Sequence, residues 1–355
     1  MVWRILLILT LLREIIGAAE VQVDFTGSSA APGHAHICVI NQRNNNDEIG
    51  GQVKCWGDGS KSSDHWLDTP KDETFVQVIA GESYGCGLNL EQMVLCWGGL
   101  GKVNVRGMYT QITGGDLYGC GVMTDASIKC WGSLHVLPPE GNRFIHIDCH
   151  KKHCCALNTD NVPECFGKLD VGDTEAVHLT SPVDNTRKLT ETEGSEEETE
   201  TEGSEEEDGY EDREETPEED ILRHKFSSLA TGDRFSCGIE LEGRNVQCWG
   251  EGKHSRGNGV PMRIPGPFKQ ISMHNLGLCG IYGPPNGPDD PKEHSMKCWG
   301  QRMTGVVSKE EVDEEEWDQV TVSKHSVCAV SMTSELVCWG SGKEIMNQPA
   351  GIVVA

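Results

Sequence analysis

The three-residue sequence Cys-Trp-Gly recurs along the chain and constrains the fold more than any other feature. It occurs six times, with its cysteine at positions 55, 96, 130, 248, 298 and 338, and Cys165-Phe166-Gly167 is a conservative seventh copy. Successive copies are 41, 34, 35, 83, 50 and 40 residues apart. Such a period is typical of proteins built from structural repeats, so one unit of seven repeats can account for a chain of 355 residues.

An earlier cysteine precedes each copy, and the spacing predicts a disulfide within each repeat. Four of the pairs are ten residues apart. In a hairpin with a short odd-numbered loop, two such cysteines lie directly opposite each other, within the distance that a disulfide needs. The pair Cys237 and Cys248 is eleven residues apart, and Glu242-Gly243 is predicted to form a two-residue turn between them. The predicted hairpin disulfides are Cys38–Cys55, Cys86–Cys96, Cys120–Cys130, Cys155–Cys165, Cys237–Cys248, Cys279–Cys298 and Cys328–Cys338.

The segment CHKKHCC, residues 149–155, carries two cysteines that the repeats do not use. Histidine and cysteine at this density are compatible with a zinc site. However, Cys155 aligns with the hairpin cysteine of the other repeats, which leaves Cys149 and Cys154, five residues apart, to pair with each other. We predict this extra disulfide, and neither a metal site nor a cofactor.

Neighbouring residues of a strand point to opposite faces of a sheet, so the disulfide and the tryptophan of each repeat lie on opposite faces. A lone sheet of three or four strands cannot bury two apolar faces. Seven sheets arranged radially can bury both, each with its Trp face packed on the next sheet. The predicted fold is therefore all-β: a seven-bladed β-propeller with an intra-blade hairpin disulfide in each repeat.

The repeats also carry a longer pattern, in which a Gln between apolar residues precedes a small-residue pair and the first cysteine. It is present at Gln77-Val78-Ile79-Ala80-Gly81, Gln111-Ile112-Thr113-Gly114-Gly115, Gln270-Ile271 and Gln319-Val320. With the Cys-Trp-Gly copies, this pattern resembles the regulator-of-chromosome-condensation repeat, which beta-lactamase inhibitor protein II shares. The disulfide-bearing form is most similar to the ectodomains of crinkly-type receptor kinases. The resemblance implies a propeller that acts as a nucleotide-exchange factor, an enzyme inhibitor or a receptor ectodomain.

The N-terminus and the cysteine content both predict secretion. The apolar run Ile5–Leu12 is followed by Gly17-Ala18-Ala19, which is typical of a signal peptide at 1–19 that leaves Glu20 as the mature N-terminus. Sixteen cysteines suit an oxidising compartment. The apolar run is too short to span a bilayer, and no later segment is long enough to do so. We therefore expect residues 20–355 to form the mature propeller, with no membrane span.

The negative charge is concentrated in one segment. Residues 190–220 hold 18 acidic residues and one Arg, a net charge of −17 within a total of −26, which leaves −9 for the rest. The nine-residue unit TETEGSEEE occurs twice in succession, and such a run is predicted to form a disordered insertion at 184–220 between the fourth and fifth repeats. Ser195 and Ser204 each lie two residues before a Glu and are candidate phosphorylation sites. A weak, multivalent surface for calcium or for a basic partner is the functional alternative for this insertion.

No motif of a known catalytic class is present, so we predict a binding protein and not an enzyme. The leading hypothesis is an extracellular protein-binding module of the receptor-ectodomain or inhibitor kind. A calcium- or mineral-associated acidic extracellular protein is the second hypothesis. The third hypothesis is a regulator of a GTPase, a role that secretion disfavours. The sequence has no cluster of Lys and Arg that would indicate nucleic-acid binding.

Overall fold

In the structure, a computed structural model, the described residues are all-β and form seven antiparallel sheets. The structure describes residues 30–32, 36–41, 50–57, 68–101, 103–133, 137–151, 153–167, 224–233, 235–250, 260–274, 277–287, 290–300, 315–323 and 326–340. The predicted signal peptide at 1–19 and the predicted insertion at 184–220 lie outside these residues. Among the described residues, no helix is long and apolar enough to cross a lipid bilayer.

Each sheet is a meander in which strands consecutive in sequence are hydrogen-bonded neighbours. Sheet 1 contains β1 (Ala30–Pro32), β2 (His36–Asn41) and β3 (Gln52–Gly57). Sheet 2 contains β4 (Phe75–Ala80), β5 (Tyr84–Asn89), β6 (Val94–Gly98) and β7 (Val103–Val105), and sheet 3 contains β8 (Tyr109–Gly114), β9 (Tyr118–Met123) and β10 (Ile128–Gly132). Sheet 4 contains β11 (Phe144–His150), β12 (His153–Asn158) and β13 (Pro163–Gly167). Sheet 5 contains β14 (Phe226–Thr231), β15 (Phe235–Glu240), β16 (Val246–Gly250) and β17 (Arg263–Ile264). Sheet 6 contains β18 (Phe268–His274), β19 (Gly277–Tyr282) and β20 (Met296–Trp299), and sheet 7 contains β21 (Trp317–Val322), β22 (Ser326–Ser331) and β23 (Leu336–Gly340).

The hairpin between the second and third strands of every sheet carries a disulfide. The two cysteines are directly opposite in the ladder, as in Cys86 with Cys96, and their Cα atoms are 4.0 Å apart. So short a separation belongs to a non-hydrogen-bonded pair, which is the pair that a disulfide can bridge. All seven hairpin disulfides predicted from the spacing are present in the structure.

One predicted turn is wrong. The loop between Cys237 and Cys248 spans the four residues 241–244, because the Glu240 N–H donates to the carbonyl of Asn245. Both Gly243 and Arg244 have a left-handed φ, of 72° and 54°. The Gly therefore lies inside a wider turn than the two-residue turn that Glu242-Gly243 predicted.

The glycine of Cys-Trp-Gly ends the third strand in a conformation that other residues rarely adopt. Its φ lies between 84° and 140° in six sheets, and a side chain is strained in this left-handed region. The six residues are Gly98, Gly132, Gly167, Gly250, Gly300 and Gly340. This backbone requirement explains why glycine follows the aromatic residue in each of these copies.

An aromatic residue opens the first strand of sheets 2 to 7, and a β-bulge follows it. The six residues are Phe75, Tyr109, Phe144, Phe226, Phe268 and Trp317, each no more than 1% exposed. In sheet 2 the Phe75 ring lies against Gly87, where an added Cβ would be 2.3 Å from the ring. The Trp97 ring centroid is 6.0 Å from that of Phe75. The glycine after the first cysteine therefore makes room for the aromatic residue that opens the sheet.

The Trp-bearing face of each sheet packs against the disulfide-bearing face of the sheet before it. Trp97 of sheet 2 shares an apolar cluster with Cys38 and Ile40 of sheet 1. In the same way, Trp56 of sheet 1 shares a cluster with Cys328 of sheet 7, so the first sheet packs on the last. The predicted packing on opposite faces is present, but the Trp face meets the preceding sheet and not the following one.

Candidate functional site at the mouth of the central channel

The first strands of sheets 2 to 7 line a central channel with a volume of about 170 Å³. Its wall is polar because the third residue of several of these strands is Gln or His, as in Gln77, Gln111, His146 and Gln270. A channel of this volume has room for several water molecules. The volume is far below that of a folded protein, which can contact only the ends of the channel.

The glutamine side chains join the first strand of one sheet to the first strand of the next. The Gln77 Nε2 atom donates to the Ile112 carbonyl at 2.5 Å, and its Oε1 atom accepts the Ile112 N–H at 2.9 Å. Gln111 accepts the N–H of Ile147, and Gln270 accepts the N–H of Val320. Because these backbone groups face the channel, the side chains satisfy donors and acceptors that no strand pairs.

In sheet 4, His146 stands at the position of the glutamine, and its side chain also bonds to the first strand of the next sheet. Its Nε2 atom lies 3.3 Å from the Leu229 carbonyl, and its Nδ1 atom lies 3.1 Å from Nε2 of Gln111. A carbonyl only accepts, so the proton of the neutral ring is on Nε2, and Nδ1 accepts from Gln111. The imidazole therefore has a structural role between sheets 3 and 5.

A second set of bridges lies two residues further along the same strands. The Thr113 hydroxyl accepts the Cys149 N–H at 3.0 Å, and the Ser272 hydroxyl accepts the Val322 N–H at 3.0 Å. Asp148 accepts from both the N–H and the hydroxyl of Thr231, at 2.6 and 2.8 Å. The carboxylate of Asp148 is thus engaged by two donors of the next sheet.

The turn between the first and second strands of each sheet forms one mouth of the channel. The same turn position holds Glu82 in sheet 2, Asp116 in sheet 3, Lys151 in sheet 4 and Asp233 in sheet 5. Glu82 is exposed, and its N–H donates to the carbonyl of Asp116 in the next sheet. Leu117, which follows Asp116, is 46% exposed. The mouth therefore presents charged groups together with an accessible apolar side chain.

A compact charged cluster occupies the sheet 4 side of this mouth. Asp233 lies 2.7 Å from Nε2 of His150 and 2.6 Å from Nζ of Lys151. Burial opposes ionisation of Asp233, but hydrogen bonds from His150 and Lys151 outweigh it and hold the pKa of the carboxyl well below its usual range. The His150 ring meets the His274 ring edge to face, with centroids 4.3 Å apart. The two imidazoles thus lie against each other at the channel end.

Two buried tyrosines connect sheets 2, 3 and 4 below the same mouth. The Tyr84 hydroxyl donates to the carbonyl oxygens of Gly115 and Tyr118. Tyr118 in turn reaches the carbonyl of His153 at 3.3 Å. Burial raises the pKa of Tyr84 and of Tyr118 well above the usual range, and the nearby Asp116 carboxylate adds to the effect on Tyr84. Both hydroxyls thus remain protonated donors at neutral pH.

The segment CHKKHCC lies at this mouth, and its extra cysteines form a disulfide. Cys149 on β11 is bonded to Cys154 on β12, and no free cysteine is found among the described residues. The sulfur atoms of Cys120, Cys149 and Cys154 lie close together. All three are consumed in disulfides, so they offer no thiolate to a metal, and the zinc alternative finds no support in this group. Ser195 and Ser204 lie outside the described residues.

The sequence did not predict that Asp233 and His274 belong to the same site as His150. Asp233 is 83 residues from His150 in the chain, and the acidic segment lies between them. The signal was the repeat itself, since each of Glu82, Asp116, Lys151 and Asp233 lies four residues before the first cysteine of its hairpin. A repeat-by-repeat comparison of polar turn residues would have grouped them.

No family model matches the chain. Two solved structures are similar in fold. The ectodomain of the Physcomitrella patens receptor kinase CR4 is 19% identical, with a TM-score of 0.61 over 89% of this chain and 74% of that one. The crinkly WD40 ectodomain of the Arabidopsis thaliana receptor kinase ACR4 is 19% identical, with a TM-score of 0.61 over 92% of this chain and 98% of that one. The fold is therefore of the β-propeller class. Within that class it is similar to crinkly receptor-kinase ectodomains, as the repeat pattern predicted.

Proposed function

We propose that the protein is a secreted, seven-bladed β-propeller that binds another protein outside the cell through the channel mouth, and that it is not an enzyme. The mouth carries the proposal, because it combines exposed charge at Glu82 with the exposed apolar side chain of Leu117 around a channel whose volume is too small for a folded protein. A rim of charged and apolar groups around a rigid support is typical of a protein-binding surface.

A closed ring of seven blades is supported by the number of sheets and by the packing of Trp56 on sheet 7. Secretion is supported by eight disulfides, since such a set persists in oxidising compartments. In this proposal residues 1–19 are the signal peptide, residues 20–355 form the mature propeller, and residues 184–220 are a disordered insertion.

Binding is favoured over catalysis because most polar groups of the channel are engaged in joining the sheets. Gln77, Gln111 and Gln270 bond to the backbone of the next sheet, and Asp148 accepts from Thr231. A catalytic acid or base needs free access to a substrate atom. The exposed groups at the mouth, such as Glu82, can instead contact the surface of a docked protein.

The test is capture of partners from cell-surface extracts on immobilised residues 20–355. The variant Glu82→Lys with Leu117→Ala changes the mouth. The control variant Glu91→Lys with Leu90→Ala makes the same two changes at the β5–β6 turn, at the other end of the strands. We expect the mouth variant to lose the captured protein and the control to retain it. Equal capture by both variants, or loss by the control alone, would overturn the channel mouth as the binding site.

A second candidate function, calcium binding, is favoured by the duplicated TETEGSEEE sequence in residues 190–220. Closely spaced carboxylates attract Ca²⁺ through oxygen ligands. Calorimetric titration with millimolar Ca²⁺ should then give heat that disappears on deletion of 190–220, while the thermal midpoint stays nearly unchanged. Heat that survives the deletion argues against this candidate, and a large drop in the midpoint would mean that the segment is folded.

A further inference from the structure

The third strand of sheet 3, β10, is an open edge among the described residues. The third strands of sheets 2 and 5 are each covered by a fourth strand, β7 on β6 and β17 on β16. In sheet 3 no described residue pairs with the outer side of β10, although the connection to sheet 4 is described at residues 133 and 137–143. An edge strand presents backbone donors and acceptors that another extended segment can pair with.

Two prolines stand where a fourth strand of sheet 3 would lie. Counting from the glycine of Cys-Trp-Gly, the positions of Asn104 and Val105 in β7 correspond to Pro138 and Pro139. Proline has no backbone N–H, and successive residues of a strand point this group to alternate sides, so one of two consecutive prolines would lack the donor that has to face β10. Leu137, which corresponds to Val103, is 79% exposed. The described part of the connection therefore leaves the edge of β10 uncovered.

Sheets 2 and 5 show what fits such an edge. Val105 is opposite Val94, and Ile264 is opposite Val246, in antiparallel register. All four are buried, with Val94 and Val246 at 0% exposure. The equivalent residue in sheet 3 is Ile128, which is only partly buried. The edge of sheet 3 thus lacks the aliphatic residue that covers this position in the two complete sheets.

The backbone geometry at the edge is also known from sheet 5. There the Cys248 N–H, which points away from its disulfide partner strand, donates to the Met262 carbonyl at 2.7 Å. Cys130 occupies the same place in sheet 3, in the same non-hydrogen-bonded pair with Cys120. Its N–H and carbonyl therefore point to the open edge and can accept a strand in the same register.

The charge of Lys129 determines which residue of a bound strand fits opposite it. Lys129 lies between Ile128 and Cys130, is exposed, and donates from Nζ to the Arg106 carbonyl at 2.8 Å. Directly opposite residues of an antiparallel pair share one face, and opposite charges in that position attract. An acidic side chain opposite Lys129 would thus meet an ammonium group that is already fixed in place.

We propose that β10 binds an extended segment of a partner protein as a fourth antiparallel strand, with the pattern aliphatic–acidic–aliphatic opposite Cys130, Lys129 and Ile128. This inference rests on the proposed protein-binding function and names a second contact surface for it. The backbone bonds give affinity, and the aliphatic residue opposite Ile128 and the acid opposite Lys129 give specificity.

The test uses a fluorescent nine-residue peptide with the centre Thr-Val-Glu-Val-Thr, whose binding to residues 20–355 is followed by anisotropy. The variant Lys129→Glu should weaken binding about five- to tenfold, because an attractive cross-strand pair becomes a repulsive one. A peptide with Lys in place of its Glu should bind this variant better than the unchanged protein. The matched control is Gln247→Glu, at the equivalent position of sheet 5, where β17 already covers the edge; we expect no effect there.

Hydrogen exchange of the protein with bound peptide shows where the peptide binds. Protection of the amides of 128–132 together with the charge-reversal pattern supports the proposal. Binding that Lys129→Glu leaves unchanged, or protection at the channel mouth only, overturns the edge site and leaves the proposed function standing. Absence of binding up to millimolar peptide also overturns the edge site. A homodimer that sedimentation detects and Lys129→Glu abolishes overturns the partner strand as well, because a second copy of the chain then occupies the edge. Loss of partner capture by the channel-mouth variant tests the proposed function separately.

Discussion

At the scale of single residues, four of the six sheets that open on an aromatic residue place a glycine against its ring. Gly87 and Gly121 follow the first cysteines of their hairpins, and an added Cβ would lie 2.3 Å from Phe75 and 2.8 Å from Tyr109. Sheets 4 and 7 have Ala156 and Ala329 at this position. Since the aromatic side chains are buried between sheets, a misplaced ring disturbs the packing between two sheets and not only within one.

The first prediction concerns Gly87→Ala. The added methyl group must displace the buried Phe75 ring, so we expect a loss of about 1–3 kcal/mol of unfolding free energy, measured by thermal or denaturant unfolding with the disulfides intact. Gly287→Ala is the matched control, because no atom lies within 4 Å of its added Cβ. An effect of the control as large as that of Gly87→Ala would mean that the loss does not come from the ring contact.

The second prediction concerns the buried tyrosines at alkaline pH. Burial raises the pKa of Tyr109 to about 12, and those of Tyr84 and Tyr118 are raised as well. A pKa raised on folding stabilises the protonated form, so the contribution is fully present below the unfolded value of about 10 and is lost as the pH rises towards 12. For Tyr109 alone the loss amounts to about 2–3 kcal/mol.

Absorbance of tyrosinate and unfolding free energy, followed together from pH 9 to pH 12, measure this loss. Tyr109→Phe should remove its share of the alkaline destabilisation and change stability at neutral pH little, since its hydroxyl makes only a long 3.3 Å bond to Arg106. Ionisation of all tyrosines near pH 10 without loss of stability would contradict the prediction.

At the scale of the structural elements, the first strands hold neighbouring sheets together through side chains that bond to the backbone. Gln77 makes two such bonds to Ile112, and Thr113 makes one to Cys149. A further set of hydrogen bonds starts from the turns between the second and third strands. There the carbonyls of Gln92 and Ala126, two residues with a left-handed φ, accept the N–H of the aromatic residue that opens the next sheet. Hydrogen bonds therefore accompany the apolar contacts between consecutive sheets.

The third prediction is that Gln77→Leu destabilises the fold by about 2–4 kcal/mol, because it leaves the buried N–H and carbonyl of Ile112 without their partner. Denaturant unfolding measures this difference. Gln52→Leu is the control, since Gln52 makes a single exposed bond to the Lys71 carbonyl, and we expect about 0.5 kcal/mol or less. A cost for Gln77→Leu no greater than that of the control would show that the bond does not hold the sheets together.

Much of the element level was predictable because its signals are local. Ten-residue spacing between cysteines dictates their register, and Cys-Trp-Gly places disulfide and Trp on opposite faces. The direction of packing was predicted wrongly, since sequence periodicity does not say which neighbour a face meets. Contacts between residues far apart in sequence, such as His150 of sheet 4 with Asp233 of sheet 5, depend on how the sheets are arranged in space. The open edge of sheet 3 did have a local signal, Pro138-Pro139, but its meaning needed sheet 2 for comparison.

At the scale of the whole molecule, the decisive question is whether the seven sheets act as one cooperative ring. Trp56 of sheet 1 is 5% exposed and packs in one cluster with Cys328, Val330 and Leu336 of sheet 7. Trp249 of sheet 5 is 6% exposed and packs in the same way on sheet 4. In a closed ring these two junctions are equivalent, whereas in an open array the terminal sheets fray first.

The fourth prediction follows from that equivalence. Trp56→Ala should cost about 3–5 kcal/mol of unfolding free energy, as should Trp249→Ala, because each leaves a large cavity between two sheets. Denaturant unfolding measures both costs, and native-state hydrogen exchange should show β2 and β22 protected as strongly as β9. A cost below about 1 kcal/mol for Trp56→Ala, beside a full cost for Trp249→Ala, would show that the first and last sheets do not hold each other. The proposed ring would then lack its closing contact, and the binding surface would have to be sought on the individual sheets.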